Sequence, residues 1–578
     1  MTFRGAATGF LVGQLPGLAA VALIAGVVDP SFVDAPGSLW LVACLLPGLV
    51  GAGIGARLGR GHRAAAPLSV VPALALAALS AWPRGPIPGL KLLVFGVDGA
   101  TWEQIDPMRA DLPAFTALHD DGATGTMTAS GPLFSPLLWT ALATGRPREE
   151  HGVYGFHTRA DDVRVPTVWD IADAQGLAVG TMKWLVTWPP PERGGAGFVV
   201  PGWTAPSPET FPEDLAFLKQ LELGHRARLG ERPDRGSVSL AVDGLRHGFR
   251  WSTLRDAVYW QTIGRLAAED VRQAALHRLR ARMDRDVFVY ELRRGNPAVA
   301  ALVDYTTDAL GHHAWRWHEP AKFGIDAATA RAHGDPLHDA YVDADGILAE
   351  LRTLLPPEGR LVVVSDHGFE ALPATTGVRV GPRTDTLDTA LRGTMGAVEV
   401  ARTGARVTVV MREDAEVQAL AADQYLATVV RSDTGERLFR WARDPDDPGA
   451  LVIDLLAPTI PEEALNVDVL GRPLSDWVRQ LPDQSGDHTP RGLFAAVGPG
   501  VAPGTVVDVG LYDVAPVLLA ALGLPRDPAM RGTVPAGLWP DPGTGPSWQP
   551  ARDRVRFVPV GDEDAGNAML RELGYVDR

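Results

Sequence analysis

"KLLVFGVDGATWEQIDPM", residues 91–108, decides the fold. An apolar, partly β-branched run (91–97) breaks at Asp98-Gly99 and gives way to a polar stretch with helical spacing. A short apolar run bounded by a turn signal reads as a buried strand, and Asp98 stands at its carboxyl end. Asp98 could equally cap the helix-like "ATWEQIDPM" that follows. Further on, "LAVGTMKWL" (177–185), "VFVYEL" (287–292) and "RLVVVSD" (360–366) read as further buried strands. "TVWDIADAQG" (167–176) and "AYVDADGILAELRTLL" (340–355) read as intervening helices. This alternation predicts an α/β fold with a mainly parallel central sheet flanked by helices, in which ligands gather at the carboxyl ends of the strands.

The 578-residue chain carries a formal net charge of −15 and one cysteine, Cys44. A disulfide and a thiolate metal site are therefore excluded. The acidic balance, with no long basic cluster, argues against a surface for nucleic-acid polymers. The length suits a membrane part plus one large or two medium globular parts. Thr8 to Val28, Leu39 to Ala56 and Ala64 to Trp82 are apolar runs without a charged residue. Each approaches the roughly 20 residues that cross a bilayer. The first linking loop, "DPSFVDAPGS", is acidic, and the second, "RLGRGHR", is basic. By the positive-inside rule the second loop faces the cytoplasm, so everything after "WPRGPIPG" (82–89) is expected outside it. The organisation expected is a membrane region over 1–88 and a catalytic domain over 89–545. Insertions are expected near 216–285, a charged helical cap, and near 370–480, followed by a tail with a short helix over 546–578. Pro-rich "TWPPPERGG" (187–195) and "PGWTAPSPETFPEDL" (201–215) read as surface loops.

Four further stretches could carry chemistry. In "LFSPLLWTALATG" (133–145), Ser135 reads as a helix N-cap, Pro136 as a first-turn residue and Gly145 as the exit. A serine there is either a cap alone or a hydroxyl held where a helix favours negative charge. In "DYTTDALGHHAW" (304–315), Asp308 and His312 share a helix face, as a solvated pair or as metal ligands. His313 points elsewhere. In "VVVSDHGFE" (362–370), Asp366 and His367 directly follow an apolar strand, where buried polar groups need a partner. "SGDHTPRGLF" (485–494) offers His488 in a glycine-flanked loop.

Taken together, Asp98, Ser135, Asp308, His312, Asp366, His367 and His488 resemble the alkaline phosphatase superfamily, in its nucleotide pyrophosphatase/phosphodiesterase branch. The resemblance runs from residue 91 to about 535. It rests on "VFGVDGATW", "SPLLWTALATGRPREEHGVYGF", "TVWDIADAQGLAVG", "TTDALGHHAW", "VVVSDHGF", "GDHTPRGLFAAVGPGV" and "GLYDVAPVLLAALGLP". It implies two divalent metal ions, one held by Asp308, His312 and His488. The other is held by Asp98, Asp366 and His367, with the Ser135 oxygen as a further ligand. The family metals are usually zinc, and manganese suits the same donors. The implied reaction is attack by Ser135 on a phosphodiester, a phosphoseryl intermediate, then hydrolysis with overall retention at phosphorus. Implied substrates are small phosphodiesters, lipid headgroups or envelope polymers. A phosphoethanolamine or phosphoglycerol transferase and an inactive binding homologue are the alternative readings.

Several positions depart from the branch. Ser135 stands where threonine is usual. Leu137 and Trp139 break the C/S-x-P-x-R pattern of the related sulfatases. Phe156, followed by His157, occupies the place of an asparagine that binds a phosphoryl oxygen. His151 is expected to be structural. No position matches the guanidinium clamp of phosphomonoester enzymes, for which Lys183 and Arg146 are candidates, and this favours diesters as substrates.

Overall fold

A computed structural model describes residues 85–560, apart from 157, 227–236, 373–376, 397, 404–405, 412–413, 445–448 and 481–483. The three apolar runs, His157 and the closing "NAMLRELGYVDR" lie outside the described residues. Among those described, no helix is long and apolar enough to cross a membrane.

Nine strands position the site: β1 (Leu92–Val97), β2 (Gly122–Thr128), β3 (Val179–Met182), β4 (Phe198–Val200), β5 (Val299–Asp304), β6 (Arg360–Val364), β7 (Gly368–Ala371), β8 (Gly486–Thr489) and β9 (Arg491–Val497). The central sheet runs β2-β9-β6-β1-β5-β3-β4, with short strands Thr505–Val506 and Val509–Gly510 on the outer edge of β2. From β6 to β4 every pairing is parallel. β9 runs antiparallel to both β6 and β2, so the sheet is mixed and mostly parallel.

Every residue of β1 is buried, as expected for a strand covered on both faces. Leu93, Phe95 and Val97 join one core with helices Pro113–Asp121, Glu269–Gly295, Thr306–His318 and Pro336–Leu354. Leu92 and Val94 join the opposite core with helices Ser135–Thr144, Val168–Ala174 and Val514–Ala521. The alternation follows from the two-residue period of a strand. Each buried aliphatic or phenyl group contributes about 1.5–3 kcal/mol.

Two expectations fail. "VFVYEL" (287–292) is not a strand; it is the buried end of helix Glu269–Gly295. Val287, Phe288 and Leu292 enter the core there while Asp284, Asp286 and Glu291 are also buried, so the apolar run hides a helical face. Asn296, in the left-handed conformation (φ 49°), ends the helix, and the strand is the next run, "VAALVD". The Pro-rich stretch 187–195 is irregular but mostly not on the surface. Pro189, Pro190 and Pro191 are buried, and Arg193 pairs with buried Asp170 at 2.9 Å. Residues 549–558 cover this loop: Val558 N–H donates to the Pro190 carbonyl (3.0 Å) and Glu192 N–H to the Arg556 carbonyl (2.8 Å).

The insertion near 216–285 is helical, as Ala216–Arg226, Ser237–Arg246, Trp251–Gln261 and the first part of Glu269–Gly295. Buried Lys183, just after β3, holds this insertion through Glu222 (2.6 Å) and Asp284 (3.4 Å). The second insertion has its own core, a four-stranded antiparallel sheet packed with helices Thr384–Met395 and Ala415–Leu426. It leaves the main domain after β7 and returns before β8. A buried Arg148–Asp444 ion pair (2.7 Å) ties it back.

Candidate active site

β1 lies between β5 and β6, and the three strands end level: Val97 faces Asp304, and Gly96 faces Val364. The residues that follow them therefore leave the sheet together at its carboxyl edge. β1 delivers Asp98 and β6 delivers Asp366 and His367, all fully buried. β5 passes directly into helix Thr306–His318, which carries Asp308 and His312 one turn apart. Asp304 fixes that entry, accepting from Thr306 N–H (2.9 Å) and Thr306 Oγ1 (2.6 Å). Gly99 has φ 72°, and a Cβ there would lie 2.8 Å from the Phe369 ring, so glycine is required.

β7 pairs with β8 so that Phe369 faces His488. This ladder brings His488 from the far side of the insertion onto His367, their rings stacked at 3.7 Å. Phe369 forms the floor, 4.8 Å from the His312 ring and 5.0 Å from that of His488. His313, next along the helix, is exposed.

Ser135 is the first residue of its helix rather than the N-cap; Phe134 takes the cap position with an extended backbone. The serine makes no capping bond, and its Oγ lies 3.4 Å from His367 Nε2. Gly145 closes the helix in the left-handed conformation, as its sequence position predicts.

All seven residues meet at one place. Asp308 Oδ1, His312 Nε2 and His488 Nε2 lie 3.0–3.6 Å apart. His367 Nε2 lies 3.3 Å from Asp98 Oδ1, 3.6 Å from Asp366 Oδ2 and 3.8 Å from Asp308 Oδ1. The resemblance gives Asp308 to one ion alone; in the structure its Oδ1 is within reach of both clusters.

The electrostatics are those of a site short of positive charge. Burial pushes the Asp98 carboxyl up, and the Asp308 charge adds to that. Burial with the charges of Asp98 and Asp308 drives Asp366 well above the carboxylate range. Burial also acts upward on Asp308, but His312, His488 and His367 outweigh it and hold this group low. Burial pushes His312 down to about 4. For His367 burial acts downward, but the neighbouring Asp98 carboxylate, 3.3 Å from Nε2, outweighs it.

The donors fit divalent cations. Asp98 Oδ1 and both oxygens of Asp366 are buried without a hydrogen bond among the described residues. A buried carboxylate left so is costly unless a cation meets it. The partners of Nδ1 assign the tautomers: His367 Nδ1 donates to the Gly368 carbonyl and His488 Nδ1 to that of Leu133, both at 3.0 Å. Each Nε2 lone pair thus points into the cluster. Ligands about 2.1 Å from a common zinc stand at most about 4.2 Å apart, which these spacings satisfy.

Sequence reasoning missed Trp139. Its Nε1 donates to Asp98 Oδ2 at 2.9 Å, leaving Oδ1 for the cluster. Trp139 stands one turn after Ser135 on the same helix, so a single helix presents the hydroxyl and orients a ligand. The spacing was visible, but nothing in the sequence shows that an indole reaches a carboxylate. Trp139→Phe keeps a ring in the notch above Gly96 and removes the N–H. Metal affinity, measured by competition with a chelator, is expected to fall about 10–100-fold.

The clamp candidates are committed elsewhere. Lys183 serves the helical insertion, and Arg146 pairs with Glu150 (2.7 Å) and Asp527 (2.8 Å). His151 is fully buried, accepts from Val153 N–H (3.0 Å), and is pushed down to about 3 by burial, a structural role.

Asp304 is a further buried acid, raised to about 6 by burial. A carboxyl whose folded pKa exceeds its unfolded value costs no stability below the unfolded value and destabilises as pH rises through the folded one. In metal-free protein Asp304→Asn, which keeps the acceptor for Thr306, is expected to stabilise by up to about 3 kcal/mol above pH 7. It should change little near pH 4. Thermal midpoints across that range check this.

The type I phosphodiesterase / nucleotide pyrophosphatase family matches residues 92–453. The matched segment contains six of the seven site residues and ends before His488. No curated protein matches the chain. With over half its length matched and the superfamily's residues gathered at one strand edge, the chain belongs to the type I phosphodiesterase/nucleotide pyrophosphatase family, within the alkaline phosphatase superfamily.

Proposed function

We propose that this phosphoric ester hydrolase is anchored by its N-terminal apolar runs, with its catalytic domain outside the cytoplasm, and cleaves small phosphodiesters through Ser135. The observation that carries the reaction is the Ser135 hydroxyl, 3.4 Å from His367 and beside three carboxylates and three imidazoles. Asp308, His312 and His488 would hold one divalent cation, zinc or manganese, and Asp98, Asp366, His367 and the Ser135 oxygen a second. Such cations stabilise a serine alkoxide and offset charge building on phosphoryl oxygens.

The chain's own groups do the rest. The amino end of helix Ser135–Thr144 directs its dipole at the hydroxyl and favours negative charge there. Burial of Ser135 keeps bulk water from the oxygen that attacks. In-line attack forms a phosphoseryl ester and expels the alcohol; water then cleaves that ester, and two inversions leave phosphorus with retained configuration. With Lys183 and Arg146 committed to internal ion pairs, neither is available as the clamp for a second phosphate charge, which favours diesters over monoesters.

Hydrolysis of bis-p-nitrophenyl phosphate, p-nitrophenyl phosphate and p-nitrophenyl sulfate, each before and after chelation, tests the reading. Diester preference lost on chelation is expected. A monoester or sulfate preference would overturn the reaction class, and transfer to an added alcohol in place of water would favour the transferase.

A further inference from the structure

A cavity of about 30 Å³ lies where residues 549–558 cover the loop 187–195 and helix Val168–Ala174. Its wall includes Thr140, Trp169, Asp170, Trp184, Arg193 and Arg552. Trp169 Nε1 and Arg193 Nε are buried N–H donors without an acceptor among the described residues. Both residues are more than nine-tenths buried, at 1% and 7% exposure. The indoles beside Trp169 spend their N–H groups on the protein. Trp184 Nε1 donates to the Trp139 carbonyl (3.1 Å), and Trp139 Nε1 to Asp98 (2.9 Å). The Trp184 ring lies 4.9 Å from the rings of both Trp139 and Trp169, so one stack holds two satisfied indoles and one unsatisfied. A buried donor left unmet is costly, so two of them on one cavity wall point to an acceptor inside it.

Charge says which acceptor. Arg193 Nη1 binds Asp170 Oδ1 at 2.9 Å, and Arg552 Nη1 lies 3.9 Å from Asp170 Oδ2. Two guanidiniums therefore face one carboxylate. The next acids do not line the cavity: Asp173 stands 4.0 Å from Arg193 and is partly exposed, and Asp161 is bound by Arg159 at 2.8 Å. Burial pulls the Arg552 guanidinium below its ordinary range; Asp170 opposes this, and the Arg193 charge adds to it. Water would accept from both donors yet leave the second cation unbalanced, whereas a monovalent anion meets both needs. The volume holds one or two bodies the size of water, so a monatomic anion fits and a five-atom oxyanion does not.

We propose that this cavity binds a monatomic anion of the halide class, chloride, through the N–H groups of Trp169 and Arg193 and the charge of Arg552. The ion joins the loop 187–195 to residues 549–558, beside the indole stack that begins at Trp139. The inference does not rest on the reaction proposed for Ser135.

The test uses the purified full chain. Crystals soaked in bromide are expected to show a peak at the bromine edge within hydrogen-bond reach of Trp169 Nε1 and Arg193 Nε. In solution, with ionic strength held constant by gluconate, an anion too large for the cavity, chloride should raise the thermal midpoint by a few degrees. The rise should follow the logarithm of chloride concentration once the site fills. Trp169→Phe keeps a ring in the core and removes the N–H, and its midpoint should be insensitive to chloride. Water at this position with no bromine peak would overturn the proposal. A bromine peak without a chloride-dependent midpoint would mean an adventitious ion only, and would overturn it as well. A Trp169→Phe midpoint that follows chloride as the parent's does would overturn the site by placing the stabilising ion elsewhere. Should that variant not fold, the bromine peak and the parent's chloride dependence decide the matter together.

Discussion

Ser135→Ala is expected to lower kcat/KM for bis-p-nitrophenyl phosphate by about 10⁴-fold or more, because it removes the hydroxyl oxygen that stands 3.4 Å from His367 Nε2. The substitution removes one buried oxygen at the first turn of a helix that makes no bond through it, so folding should be unaffected. The six carboxylate and imidazole groups proposed to hold the cations remain, so metal content should stay close to that of the parent. Loss of activity with retained metal separates a nucleophile from a residue that only shapes the site. A variant that hydrolyses the diester at the parent rate would show that a different oxygen attacks phosphorus.

The second large effect is expected at Asp308. Its Oδ1 is 3.1 Å from His488, 3.6 Å from His312 and 3.8 Å from His367, so it is the carboxylate common to both clusters. Asp308→Ala should empty both cation positions and reduce hydrolysis by about 10³-fold or more. His488→Ala, at the edge of one cluster, should lose one cation and keep the other. Elemental analysis beside kinetics reads both. If Asp308→Ala retains one full equivalent of metal, the carboxylate serves one ion only, as the family resemblance alone implies.

Much of this architecture could be read from local pattern. "KLLVFGV", "LAVGTMKWL" and "RLVVVSD" are strands because a short apolar run closed by a polar residue fits a sheet buried on both faces. The same rule misread 287–292. A helix sunk into a core also presents a continuous apolar run at its buried end, and periodicity cannot separate the two without its length. Pro-rich 187–195 looked like a surface loop because the residues that bury it, 549–558, are distant in sequence. The site residues were legible as a set through the family resemblance; read singly, Asp98 suited a cap as well as a ligand and His488 only a glycine-flanked loop, while Asp366 and His367, directly after a strand, were the pair that wanted a partner. Their grouping was less so. That Asp308 faces both clusters, that Trp139 orients Asp98, and that Phe369 floors the imidazoles all depend on pairings across more than 40 residues. The antiparallel β9, which makes the sheet mixed, likewise leaves no mark in its own composition.

The most direct measurement is anomalous diffraction at the metal edge from crystals of the full chain, with metal content taken on the same protein. The expected result is two cations, one within Asp308, His312 and His488 and one within Asp98, Asp366 and His367, with Ser135 Oγ beside the second. Full diester hydrolysis by exhaustively chelated protein, with no anomalous scatterer in either cluster, would contradict the account.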